Sequence, residues 1–265
     1  MIRNRRCQRQ FLIVLMAGAR RRADARLMPR QEPIAAMPSP EDAVSPLSGT
    51  DVREIEWQMA VEDPEALRRW LLEHKRVGAL LILPRPRRLL RDTYLDTGDW
   101  RIFHGGFALR LRESAEGVEA TLKSLSSARE DVADRREITE ALAEPRPWVR
   151  DAPGPVGSRV RRLAGTVTLK PLFVVHTSRE RFAVRNPLQP EDAGEIALDE
   201  TEFRSGADIP IGRLRRVEVE ALRPPLAALE QLVRTLREQC GLEPVRENKF
   251  AMGLRLAGLV PPPPM

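Results

Sequence analysis

Lysine is nearly absent from this chain of 265 residues: Lys75, Lys123, Lys170 and Lys249 are the only four among 44 basic side chains, the rest being arginine. Such a bias, alongside much alanine and proline, reflects GC-rich coding as readily as function. The formal net charge of +6 is therefore weak ground for a nucleic-acid partner. The surviving lysines are worth tracing one by one for the same reason. Cysteine is equally scarce: Cys7 and Cys240 lie far apart with no C-x-x-C pair. That argues against a disulfide framework and a structural zinc site, and suits a reducing compartment. His74, His104 and His176 lack metal-ligand spacing and read as surface or half-buried side chains. Aromatics make up only 5% of a chain that is 42% hydrophobic, so the core leans on Leu, Val, Ala and Ile. No apolar run reaches the roughly 18 residues that a membrane-spanning helix needs.

What is present falls into three parts. Residues 1–51 are rich in Arg, Pro and Ser, with "PRQEP", "MPSPED" and "SPLSG" reading as linker. Within them "FLIVLMAGA" (11–19) follows a basic stretch as a secretory signal does, but Arg20, Arg21 and Arg22 come directly after it, which is unfavourable past a cleavage site. The segment reads as a disordered extension, or as one added by a start assigned too early, with Met28 or Met37 the true start. A cytoplasmic protein is expected. Residues 52–257 form one block with no repeat of solenoid type, and 258–265 a short Pro-rich tail.

The block reads mostly as strands. "DPEALRRWLLEH" is a helix, with Asp63 as its cap, Pro64 at its first position and Gly78 at its end. "RDTYLDT" is a strand closing at "GDW", while "FALRLRE" and "VEATLKS" flank a hairpin turn at "SAEG". "RREITEAL", "FVVHTSRERFAV", "EIALDETEF" and "RRVEVEAL" are further strands, interrupted by a short helix at "SRVRRLA". Lys170, before Pro171, reads as a loop or strand start. "PPLAALEQLVRTLREQCG" is a long amphipathic helix ending at Gly241, and "ENKFAMGL" a short helix or turn. The expected class is α+β, an antiparallel barrel with helices packed outside.

Alternation with period two gives each strand one charged face. "REIEWQMAV" places Glu54, Glu56 and Gln58 on one side. Arg110 and Arg112 share a face, as do Glu119, Thr121 and Lys123, Arg179 and Arg181, Glu195 and Asp199, and Glu218 and Glu220. A solvated exterior explains any one of these. Charged doublets repeated strand after strand fit a closed barrel better, because solvent faces normally mix in Ser, Thr and Gln. The lumen would then hold carboxylates beside arginine and lysine. A hard divalent cation suits the first, phosphate oxygens the second, and a metal-bound polyphosphate suits both.

At this point the chain resembles the CYTH domain, the triphosphate tunnel metalloenzyme superfamily. Its signature strand, E-x-E-x-K, stands here as "EIEWQ", and "DTYLDT", "ALRLRE", "ATLKS", "REITEAL", "SRERFAV", "EIALDETEF", "RRVEVEAL" and "ENKFAMGL" follow in order. The resemblance implies an eight-stranded antiparallel tunnel that binds a triphosphate or polyphosphate with Mg2+ or Mn2+. It makes Glu54, Glu56, Asp199, Glu218 and Glu220 the metal set. Gln58, Arg110, Arg112, Lys123, Arg179, Arg181 and Lys249 become the phosphate set, and Glu54, Glu56, Lys123 and Glu137 the catalytic residues. Hydrolysis of inorganic tripolyphosphate to pyrophosphate and phosphate is expected, with thiamine triphosphatase, adenylate cyclase or a non-catalytic binding module as alternatives. The departure is Gln58, which stands for the signature lysine. Restoring lysine there is expected to strengthen triphosphate affinity. Trp57 and Phe107 fall on apolar faces and read as core. Neither a membrane nor nucleic acid is an expected partner, and a homodimer is admissible.

Overall fold

A computed structural model of the protein describes residues 49–125, 132–143, 148–224 and 226–263. The extension expected over 1–51 lies outside them up to residue 48, as does Cys7. The strands are β1 (Gly49–Ala60), β2 (Arg76–Val77), β3 (Leu80–Thr97), β4 (Phe107–Ser114), β5 (Gly117–Ser124), β6 (Val132–Leu142), β7 (Leu169–Arg185), β8 (Asp192–Ser205), β9 (Pro210–Ala221) and β10 (Glu243–Pro244). Helices α1 (Pro64–Glu73), α2 (Arg101–His104), α3 (Pro155–Ala164), α4 (Ala227–Cys240) and α5 (Lys249–Leu256) connect or follow them. Eight strands close in the order β1-β6-β5-β4-β3-β7-β8-β9, and β9 pairs back onto β1. Every pairing is antiparallel. Closure leaves the barrel no free edge.

The apolar halves of the strands build two outer cores. One packs Trp57, Met59, Ile82, Phe182 and Val217 against Leu67 and Leu71 of α1 and Leu229, Leu232 and Leu236 of α4. The other packs Phe107, Leu109 and Leu122 against Val156 and Val160 of α3. Trp57 and Phe107 are thus core residues, as their faces require. Asp63 caps α1 by accepting from the Ala66 N–H at 3.0 Å, and α4 stops at Gly241 in the left-handed region. The described residues include no helix long and apolar enough to cross a membrane.

Two readings need correction. Gly78 does not end α1, which stops at Glu73; it serves the β2–β3 turn with φ +57, a conformation that favours glycine. The strand at "RDTYLDT" begins eleven residues earlier and runs through Pro84 and Pro86. Around its prolines β3 pairs with β7 alone, β2 reaching only Leu80 and Leu81; Pro84 stays in register with Phe182, and Pro86 falls in a bulge between Arg85 and Arg88. α5 seals one end of the barrel: Phe250 and Leu254 pack on Tyr94, Phe173 and Phe203, which share the lumen face.

That seal depends on a glycine. A Cβ at Gly253 would lie 2.1 Å from the Phe173 ring, so Gly253→Ala must push α5 outward. Overpacking of this kind costs about 1–3 kcal/mol. A fall of a few degrees in melting temperature is expected, and an unchanged melting temperature would show that α5 is not seated as described.

Candidate functional site

The inward faces enclose a cavity of about 160 Å³. Its acids come from neighbouring strands: Glu54 and Glu56 from β1, Glu218 and Glu220 from β9, Glu137 from β6 and Glu195 from β8. Register sets Glu56 directly opposite Glu220 and Glu220 opposite Glu195, three carboxylates in one cross-strand row. Cations come from Arg110 and Arg112 of β4, Lys123 of β5, Arg135 of β6, Arg179 of β7 and Lys249 at the start of α5. Asn248 caps that helix through the Ala251 N–H, 2.9 Å away, which aims Lys249 inward.

Most of these charges are paired. Lys123 bonds Glu54 at 2.7 Å and Glu137 at 2.8 Å. Arg112 makes a two-pronged pair with Asp92 at 2.7 Å. Arg179 grips Asp199 at 2.8 and 2.7 Å and Glu218 at 2.8 Å, and Lys249 reaches the same two acids at 2.5 and 2.8 Å. Arg135 pairs with Glu56. Two groups stand apart. Arg110 is 8% exposed, its Nε has no acceptor, and its paired carboxylate, Glu119, is 3.6 Å away. Among the described residues, no cation pairs with Glu220.

A CYTH domain model matches residues 50–253. The chain belongs to the CYTH domain family. Among solved structures, this CYTH domain is similar to HpAC1 from Hippeastrum, described as an adenylyl cyclase with a dominant triphosphatase activity. The TM-score is 0.58 and the identity 20%, covering 78% of this chain and 97% of that one. It is also similar to a protein from Bacillus halodurans described as an adenylate cyclase (TM-score 0.49, 21% identity, 76% and 97% covered). A third is the RNA triphosphatase domain of a mimivirus mRNA capping enzyme (TM-score 0.37, 10% identity, 71% and 89% covered). No curated protein matches the sequence. The first of these likenesses carries the fold alone.

The residues carried over from the family pattern converge on the cavity, with two exceptions. Arg181 pairs with Glu195 at 2.8 Å toward one end of the lumen face and does not line the cavity. Asp199 is fully buried behind Arg179 and Lys249 and anchors both cations. Asp92, Arg135 and Arg216 were not singled out from the sequence. The same alternation, extended through "RDTYLDT", "RREITEAL" and "RRVEVE", places all three on the inward face.

Electrostatics divide the acids of this CYTH domain into two kinds. Burial alone would raise Glu137, but Lys123 and Arg110 outweigh it and hold its carboxyl down at about 2. Glu218 likewise falls well below the ordinary range, as Lys249 and Arg179 overcome its desolvation. These two remain ionised and orient cations. Glu54 is pushed up, mainly by burial, despite Lys123. Glu220 is pushed up to about 7 by burial and by the neighbouring Glu54.

Among the described residues no three acidic, histidine or cysteine side chains converge closely enough to hold an ion as they stand. The donor set nevertheless fits a hard divalent cation. Glu54, Glu56 and Glu220 offer carboxylate oxygens only, and like charges set opposite one another across strands destabilise a sheet until something neutralises them.

Proposed function

We propose that this CYTH domain hydrolyses a triphosphate in its tunnel with Mg2+ or Mn2+, and that inorganic tripolyphosphate is the substrate. One observation carries the reading: the same cavity holds a buried guanidinium with an unused donor, Arg110, and a half-buried carboxylate, Glu220, that pairs with no cation among the described residues. A phosphate oxygen satisfies the first and a divalent ion the second. Glu54, Glu56 and Glu220 would hold that ion, which when bound neutralises charge on phosphate oxygens and favours attack by water.

The chain's own residues do the rest. Arg110, Arg112, Lys123, Arg179 and Lys249 bind successive phosphate groups and stabilise the charge that builds on the transferred phosphoryl group and its leaving group. Each of the last four is braced by a buried or half-buried carboxylate, so its donors are oriented before substrate arrives and little reorganisation accompanies binding. The α5 seal keeps bulk water from entering at that end. Of the aromatic rings of the lumen, Tyr94 stacks on Phe173, and Phe250 packs at a tilt against both. They are therefore committed to the seal and not free to sandwich a nucleobase, which favours an inorganic chain over ATP or thiamine triphosphate.

Phosphate release from tripolyphosphate, ATP, thiamine triphosphate and longer polyphosphate, each with Mg2+ or Mn2+, tests this. Tripolyphosphate should be cleaved fastest by at least tenfold. Tight binding without turnover would make the domain a binding module and end the enzymatic reading.

A further inference from the structure

Gln58 occupies the position where the family pattern carries lysine, and its surroundings explain why. Its side chain lies between a guanidinium and a carboxylate. Arg216 donates from Nη1 to Gln58 Oε1 at 2.8 Å, and Gln58 donates from Nε2 to Glu56 Oε1 at 2.5 Å. An amide satisfies both neighbours in one orientation only, oxygen toward the arginine and nitrogen toward the glutamate. Lysine cannot accept from Arg216, and glutamate cannot donate to Glu56. Arg216 itself is 1% exposed, is braced by the Glu247 carbonyl at 2.8 Å, and lies behind the cavity wall that Gln58 lines.

We infer that Gln58 and Arg216 form a matched positioning pair, in which Arg216 restores from β9 the positive charge missing at position 58 and, through the Gln58 amide, fixes Glu56 for the divalent ion. Both hydrogen bonds to Glu56 that reach it, from Gln58 and Arg135, fall on Oε1. Its Oε2 is thereby left to the cavity. Arg216 touches neither substrate nor metal in this arrangement; it acts through Gln58. The consequence reverses the expectation drawn from the sequence. Gln58→Lys sets an ammonium against a buried guanidinium, and does harm until Arg216 is removed as well.

The metal part of this inference rests on the proposed function; the pairing does not. The test is a double-mutant cycle on the full chain with Gln58→Lys, Arg216→Met and both together. Melting temperatures are read first without metal. Gln58→Lys should melt about 10 °C lower, because the buried Arg216 guanidinium loses its acceptor and meets an ammonium that Glu56 only partly offsets, and the double variant should melt above it. Additive effects, or a Gln58→Lys protein as stable as the parent, would overturn the pair. Melting is then followed against Mn2+ concentration. Arg216→Met should need about ten times more Mn2+ for the same stabilisation. A variant that melts lower yet responds to Mn2+ as the parent does would reduce Arg216 to a structural residue. If the parent shows no response to Mn2+, the proposed metal chemistry fails, while the metal-free cycle still decides the pair.

Discussion

Glu220→Gln is expected to stabilise the metal-free protein and to abolish hydrolysis, two effects of opposite sign from one atom exchange. The carboxylate sits in a row with Glu56 and Glu195 and pairs with no cation among the described residues. Burial first, and then Glu54, push it up to about 7, against 4.5 for an ordinary glutamate. The folded state therefore holds a proton that the unfolded state has lost, and Glu220 subtracts from stability as pH rises from about 4.5 through 7. The full shift corresponds to about 3 kcal/mol; glutamine also carries a desolvation cost, so a gain of about 1–2 kcal/mol is expected at pH 8. At pH 5, where the parent is protonated, the two proteins should melt together. Mn2+ should raise the melting temperature of the parent at pH 8 and not that of the variant. Hydrolysis should fall about a thousandfold, the scale of losing several kcal/mol of charge stabilisation. A variant less stable than the parent at pH 8, or one that hydrolyses tripolyphosphate normally, would remove Glu220 from the metal set.

The barrel was legible because its strands carry charge on one face and Leu, Val and Phe on the other. That pattern is clearest in β1, β4, β5 and β9, and Glu54, Arg112, Lys123 and Glu220 follow from it. Three things escaped for physical reasons. The first half of β3 contains two prolines, which argue against a strand unless one edge is unpaired and a bulge intervenes; neither is visible in a linear pattern. What α5 covers is equally hidden, because its apolar face looks like any other. Only closure of the barrel shows that Tyr94, Phe173 and Phe203, aromatic residues on the otherwise charged lumen face, need a cover. Pairing escaped as well. Alternation says which residues face inward but not which acid meets which base, so Asp199 was counted with the metal ligands although two cations hold it. Gln58 looked like a lost charge because its partner, Arg216, lies 158 residues away along the chain.

Asp92→Asn is expected to be the most destabilising conservative change in the lumen. The Asp92 carboxylate is 1% exposed and receives two hydrogen bonds of 2.7 Å from Arg112. Burial by itself would raise its proton affinity, but Arg112 and Arg110 reverse that and hold the group below the ordinary aspartate range. The sign follows: Asp92 contributes stability in full above about pH 4–5 and loses it as pH falls through its lowered folded value. Asparagine removes that contribution at neutral pH and leaves Arg112 with Glu119 at 3.9 Å as its remaining ion pair. Breaking a buried pair from one side costs about 3–5 kcal/mol, which corresponds to about 10 °C in melting temperature for a domain of this size. Exchanging both partners, Asp92→Leu with Arg112→Met, should recover most of that stability, because the loss comes from a stranded guanidinium and not from a missing attraction. The recovered protein should still bind tripolyphosphate at least tenfold more weakly, having lost one of its phosphate donors. Equal melting temperatures for the parent and Asp92→Asn would mean that solvent already reaches Arg112. The braced guanidinium would then have to be abandoned as the device that readies this wall of the tunnel for phosphate.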